Sequence, residues 1–123
     1  MARVRKIYDF LEYLSVEAPL NKVNRLEDKQ SRYIREYVKN KNYRIVGSMR
    51  RNGSSQGDVD RQWKKIVSMI SKKQIDGVVI ANMAVVACDL PDAYRKVGQI
   101  IEAGGMIVTV DEGMLAMNIK EVR

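Results

Sequence analysis

Histidine is absent from the 123 residues, and cysteine occurs once, at Cys88. The first absence excludes Ser-His-Asp hydrolysis, Cys-His proteolysis and histidine-ligated metals. The second excludes an internal disulfide and a cysteine-only zinc site. No apolar run approaches the roughly 18 residues of a membrane span, so no membrane partner is expected. The opening Met1-Ala2-Arg3-Val4-Arg5-Lys6 runs into Asp9-Phe10-Leu11-Glu12, where a secretory signal needs an apolar core. No leader is therefore expected, and the cytoplasm is the expected compartment. No metal or cofactor is expected. The composition is that of a globular chain of one-domain length, 46% hydrophobic and 30% charged.

Charge is unevenly placed. Residues 1–75 hold 18 Lys and Arg against 8 Asp and Glu, whereas residues 76–123 hold 4 against 7. A one-sided basic field attracts polyanions, nucleic acid first and an acidic protein surface second. The plainer reading is a solvated basic face.

Apolar periodicity alternates between strand and helix. Ile7 to Val16 ends in a strand over Glu12–Val16, and Pro19 then closes regular structure. Leu26–Lys41 has helical spacing, with Asn24 as N-cap and Glu27 three residues on. Tyr43–Ser48 is a short strand, and Arg50–Asp60 reads as a loop. Asp60 then caps a helix whose Trp63, Ile66, Val67 and Ile70 share a face. Gly77–Ala81 has the continuous apolar character of a strand covered on both faces. Asp89-Leu90-Pro91-Asp92 opens a third helix, striped by Tyr94, Val97, Ile100 and Ile101 and stopped at Gly104. Met106–Val110 is a last buried strand, and Ala116–Arg123 an edge strand or frayed tail. Tyr33, Tyr37, Trp63 and Tyr94 read as core packing. The predicted fold is a three-layer α/β/α domain with a mostly parallel sheet of four or five strands. Ligands in such folds bind beyond the carboxyl ends of the strands.

Three segments lie at those ends. Arg50-Arg51-Asn52-Gly53-Ser54-Ser55-Gln56-Gly57 combines guanidinium forks with small residues, which suits a phosphate oxygen; a mobile surface loop is the plainer reading. Cys88 precedes a helix start, a placement that lowers a thiol pKa. Arg95 stands seven positions after it, one beyond the spacing of cysteine phosphatases, so a small apolar role is favoured. Ala81–Ala87 stays apolar where a strand exit usually turns polar. It is either covered by the protein itself or offered as an apolar patch to a partner.

The order of these pieces resembles the N-terminal catalytic domain of the serine recombinases, the resolvase/invertase family. Tyr13-Leu14-Ser15-Val16-Glu17 stands where the family's first strand ends in Tyr-x-Arg-Val-Ser. Leu26-Glu27-Asp28-Lys29-Gln30 fits its helix start. Gly53-Ser54-Ser55 with Asp60-Arg61 fits its Gly-Ser loop and arginine, and Asp111-Glu112-Gly113 fits its last strand exit. The resemblance implies a resolvase-like fold and a role in DNA recombination. It also implies where chemistry is missing. Glu17 occupies the position of the nucleophilic serine and Ser15 that of an arginine, while Ala84-Val85-Val86-Ala87-Cys88 replaces an Asp-Arg-x-x-Arg element. Gln30 and Arg61 match the retained positions and are expected to converge with Glu17.

Losing one donor to a developing oxyanion costs about 2.7–4 kcal/mol. A carboxylate at about 4 Å repels a phosphate by about 1–4 kcal/mol. No catalytic residue is therefore expected, with Ser15 the fallback nucleophile if the chain is an active site-specific recombinase. Arg50, Arg51, Arg61, Lys64 and Lys65 are the expected contacts to a DNA backbone. Residues 1–123 are expected to form one catalytic-type domain without a C-terminal DNA-reading domain. Its expected partners are DNA backbone, a second copy or another recombinase-like protein. A flavodoxin-like regulatory domain unrelated to DNA is the remaining alternative.

Overall fold

The computed structural model describes residues 6–115, so the Ala116–Arg123 segment lies outside the described residues. The chain runs β1 (Tyr8–Leu14), α1 (Leu20–Val38), β2 (Tyr43–Arg50), α2 (Gln56–Ser71) and β3 (Gly77–Ile80). A single 3-10 turn (Met83–Val85), α3 (Leu90–Glu102), β4 (Met106–Thr109) and β5 (Gly113–Met114) complete it. The five-stranded sheet has the order β2-β1-β3-β4-β5. Its first four strands are parallel, and β5 turns back antiparallel on β4. The expected three-layer, mostly parallel architecture is the one observed.

Strand alternation splits β1 between two cores. Phe10 and Leu14 pack with Ile34 and Val38 of α1. Leu11 and Tyr13 face the other way, into a larger cluster with Trp63 and Ile66 of α2 and Val97 and Ile100 of α3. β3 is buried along its whole length, as its unbroken apolar run requires. Gly77 lets β4 approach: a Cβ there would stand 2.3 Å from the Met106 carbonyl oxygen and 2.8 Å from the Phe10 ring.

Several boundaries differ from the sequence reading. β1 begins at Tyr8 rather than Glu12. Pro19 does not close regular structure; it is the N-cap of α1, with φ −55° already set for the first turn. Asn24 is therefore inside the helix, not its cap. Asp60 is not a cap either. Ser55 accepts from the Asp58 N–H and Asp58 reaches back to the Ser55 N–H, a capping box that starts α2 five residues earlier than Arg61. The connection between β2 and α2 shrinks to residues 51–55. Asp89 does cap α3, accepting from the Asp92 N–H at 2.9 Å. Among the four aromatics assigned to the core only Trp63 is fully buried; Tyr33 is 49% exposed and Tyr94 55%.

Candidate functional site

The carboxyl ends of β1 and β2, with the turn after β3, enclose a cleft of about 250 Å³. Ser15, Val16, Glu17, Gln30, Arg51, Ala84 and Val85 line it. Ser15 continues β1 and is 1% exposed; among the described residues its hydroxyl has no hydrogen-bond partner. Glu17, two residues on, is at the exposed lip. Gln30 reaches from α1 and clamps the Ser15 peptide: its Oε1 accepts from the Ser15 N–H at 2.8 Å, and its Nε2 donates to the Ser15 carbonyl at 3.0 Å. That clamp spends the amide on backbone. Arg51 is tied at one end, where Nε donates to the Ser54 carbonyl at 2.7 Å.

Of the residues expected to gather here, Ser15, Glu17, Gln30 and Arg51 do. Arg61 does not join Glu17 and Gln30. It lies one turn into α2, and Asp58 at i−3 takes its guanidinium. Arg50 turns toward α1, 2.6 Å from Asp28 and 3.8 Å from Glu27. Lys64 lines a different cavity, between α2 and α3, and Lys65 is exposed on α2. The 51–55 turn offers few free amides: Arg51 N–H donates to Leu14, Asn52 to Glu27, Ser54 to Arg51 and Ser55 to Asp58. Asn52 and Gly53 both take positive φ, 54° and 79°. The apolar 81–87 segment is mostly covered, with Met83 and Val86 in the core, leaving Ala84 exposed and Val85 half-buried at the cleft.

Two buried charge clusters were not legible in the sequence. Glu12, 1% exposed, accepts from Ser31 at 3.0 Å, from Ser48 and from Arg35 at 2.9 Å, stitching α1 and β2 to β1. Lys96, 3% exposed, donates to Asp60 at 2.7 Å and to Asp92 at 2.8 Å. It sits beside the second cavity, of about 350 Å³, whose lining includes Asp60, Asp92, Arg95 and Lys96. Burial by itself would raise the Asp92 carboxyl. The Lys96 ammonium, the Cys88 N–H and Arg95 outweigh it and hold the pKa at about 2. Glu27 shows the opposite balance. Burial raises its carboxyl above the usual range, only partly opposed by the Asn52 N–H and Arg50. The Cys88 thiol is raised rather than lowered, by loss of solvent and by the nearby Asp89 and Asp92 carboxylates. The helix-start placement therefore does not activate it.

Chemically the cleft brings one partly tied guanidinium, one carboxylate, one amide and three apolar side chains around a sequestered hydroxyl. Among the described residues no group of three or more acids and cysteines could hold a metal ion.

No family model and no curated protein matches the sequence. Solved structures do match the fold. A resolvase family site-specific recombinase from Streptococcus pneumoniae superposes with TM-score 0.75 at 17% identity, over 95% of this chain and 81% of that one. The fold is that of the resolvase catalytic domains. The N-terminal catalytic domain of TP901-1 integrase gives TM-score 0.71 at 12% identity, over 93% of this chain and 86% of that one. The C-terminal catalytic domain of ISC1926 TnpA, an IS607-like serine recombinase, gives 0.66 at 17% identity, over 83% and 68%. The resolvase-type fold is thus formed by a sequence at most 17% identical to these three proteins.

Proposed function

We propose that residues 1–123 form a single resolvase-type domain of a cytoplasmic DNA-recombination system that does not cleave DNA and works by docking to DNA or to protein. One observation carries this reading: the strand-end cleft offers a single guanidinium, Arg51, and places Glu17 at its lip. Phosphoryl transfer relies on positive groups arranged around the phosphate oxygens. Arg50 and Arg61 are occupied by acids of their own neighbourhood. Ala84 and Val85 contribute no charge. A phosphodiester entering this cleft meets Glu17 without a compensating clamp.

A second reading, cleavage by Ser15, draws on the unpartnered Ser15 hydroxyl. Against it, Ser15 is 1% exposed and its peptide is held by Gln30. An attacking hydroxyl needs a base within hydrogen-bond reach, and among the described residues the Oγ has no hydrogen-bond partner. The test is incubation of the protein with supercoiled plasmid followed by separation of topoisomers. The reading expects the supercoiled form to persist. Nicked or relaxed product that vanishes in Ser15→Ala would overturn it.

A further inference from the structure

We propose that the outer face of α1, away from the strand-end cleft, is a docking surface for the phosphate backbone of duplex DNA. The proposal rests on the reading of the chain as a DNA-associated domain and adds the place of contact. Lys22, Arg25, Lys29, Arg32 and Lys39 follow one another at steps of 3, 4, 3 and 7 residues. At 3.6 residues per turn these positions share one side of the helix. All five are exposed. The opposite side, Val23, Glu27, Ile34 and Val38, is the buried one.

The row is set apart by its length along one helix face; its lack of ion pairs it shares, among the described residues, with Lys64 and Lys65 of α2. Arg35, Arg44, Arg50, Arg61, Arg95 and Lys96 each lie against a carboxylate. Among the described residues none of the five α1 cations does. Glu36 is the acid on the same arc, and Asn21 and Asn40 extend it. From Lys22 to Lys39 the row covers 17 residue steps, about 25 Å of helix at about 1.5 Å per residue. Duplex DNA presents one phosphate per roughly 3.4 Å of axis on each strand, so a straight row of this length meets several phosphates at once.

The chemistry favours DNA over other anionic partners. A membrane-surface helix needs an exposed apolar side to bury in the interface, and α1 has given its apolar side to the core. Protein interfaces centre on aromatic or aliphatic anchors; the exposed aromatic beside this arc, Tyr33, has its hydroxyl committed to Asp111. Cations spaced along a helix with polar filler suit sequence-independent backbone contact.

The test is fluorescence anisotropy of a labelled duplex of arbitrary sequence, titrated with the full chain over a series of salt concentrations. Five phosphate contacts predict a slope of log affinity against log salt of about −4.5, and replacing four of the cations makes it shallower by about 3.6. The variant is Lys22→Ala/Arg25→Ala/Lys29→Ala/Arg32→Ala, with its circular dichroism compared to the parent. Glu36→Lys is the gain-of-function partner, which misfolding cannot imitate: it should steepen the slope by about 0.9. Lys64→Ala/Lys65→Ala on α2, the backbone contacts read from the sequence, is the competing variant: the α1 row predicts a smaller change of slope from it than from the α1 variant. The proposal is overturned if the parent does not bind duplex at low salt, or if the α1 variant keeps the parent slope. It is also overturned if Lys64 and Lys65 carry the slope instead, or if the row serves phosphatidylserine vesicles or self-association and not DNA. Plasmid cleavage would remove the proposed function while leaving this surface standing. A lost surface without cleavage would do the reverse.

Discussion

On one side of the sheet α1 is held by a smaller apolar cluster around Phe10, Leu14, Ile34 and Val38, together with three polar seams: Glu12 to Ser31 and Arg35, Glu27 to the Asn52 N–H, and Gln30 to the Ser15 peptide. On the other side α2 and α3 are fastened by a broad apolar cluster around Trp63, with one ion network at Lys96. Apolar burial is additive and forgiving of direction, whereas hydrogen bonds fix geometry. The α1 seams therefore set the position of the cleft, while the α2–α3 side supplies most of the cohesion. The cleft residue that α1 contributes, Gln30, is held to a backbone peptide. In this cleft the Gln30 amide is therefore committed to the structure.

Four substitutions sharpen that contrast, each read by urea unfolding. Trp63→Ala should be the most damaging, at about 4 kcal/mol, because it empties the centre of the larger core. Lys96→Ala should follow at about 3 kcal/mol, since it leaves Asp92 buried with only Arg95 and the Cys88 N–H. Asp92 also gives a pH signature. Its carboxyl ionises at about 2 in the folded chain against an ordinary 3.8, so its contribution is complete above 3.8 and is lost as the pH falls through that window. Asp92→Asn should flatten the stability profile there. On the α1 side, Glu12→Gln should cost about 1.5 kcal/mol, less than the Lys96 change, because Arg35 is half-exposed and regains water. Equal losses for Lys96→Ala and Glu12→Gln would erase the distinction between the two sides.

The smallest effect should have the opposite sign. Glu27 is buried with one carboxylate oxygen unpartnered, and its folded pKa is raised. The folded state thus favours the protonated acid, and stability falls as the pH rises through the ordinary carboxylate range. Glu27→Gln keeps an acceptor for the Asn52 N–H without the buried charge. It should raise stability at neutral pH by less than about 1 kcal/mol. A clear loss would show that the long Arg50 contact matters more than burial.

Legibility followed how far each feature is local. β3 and α3 were readable because an unbroken apolar run and an Asp-Leu-Pro-Asp start announce themselves. α1 was cut short because Asn24 and Glu27 imitate a capping pair, while the true start uses only the fixed φ of Pro19. That misplaced boundary left Lys22 and Arg25 outside the helix and so hid the basic row. Glu12 and Glu27 were invisible as core residues because periodicity counts apolar side chains, and their partners are 15 or more residues away. Arg61 kept its expected place in the chain, yet Asp58 one turn earlier decided where its guanidinium points. Shared position does not carry shared direction.

The most direct test of the central claim, a resolvase-type fold without strand cleavage, is the intact mass of the protein. It is incubated with supercoiled DNA, denatured and digested with nuclease. The account predicts one species at the unmodified 14.1 kDa mass. A second species heavier by a nucleotide remnant, mapped to the Ser15 peptide, would contradict it.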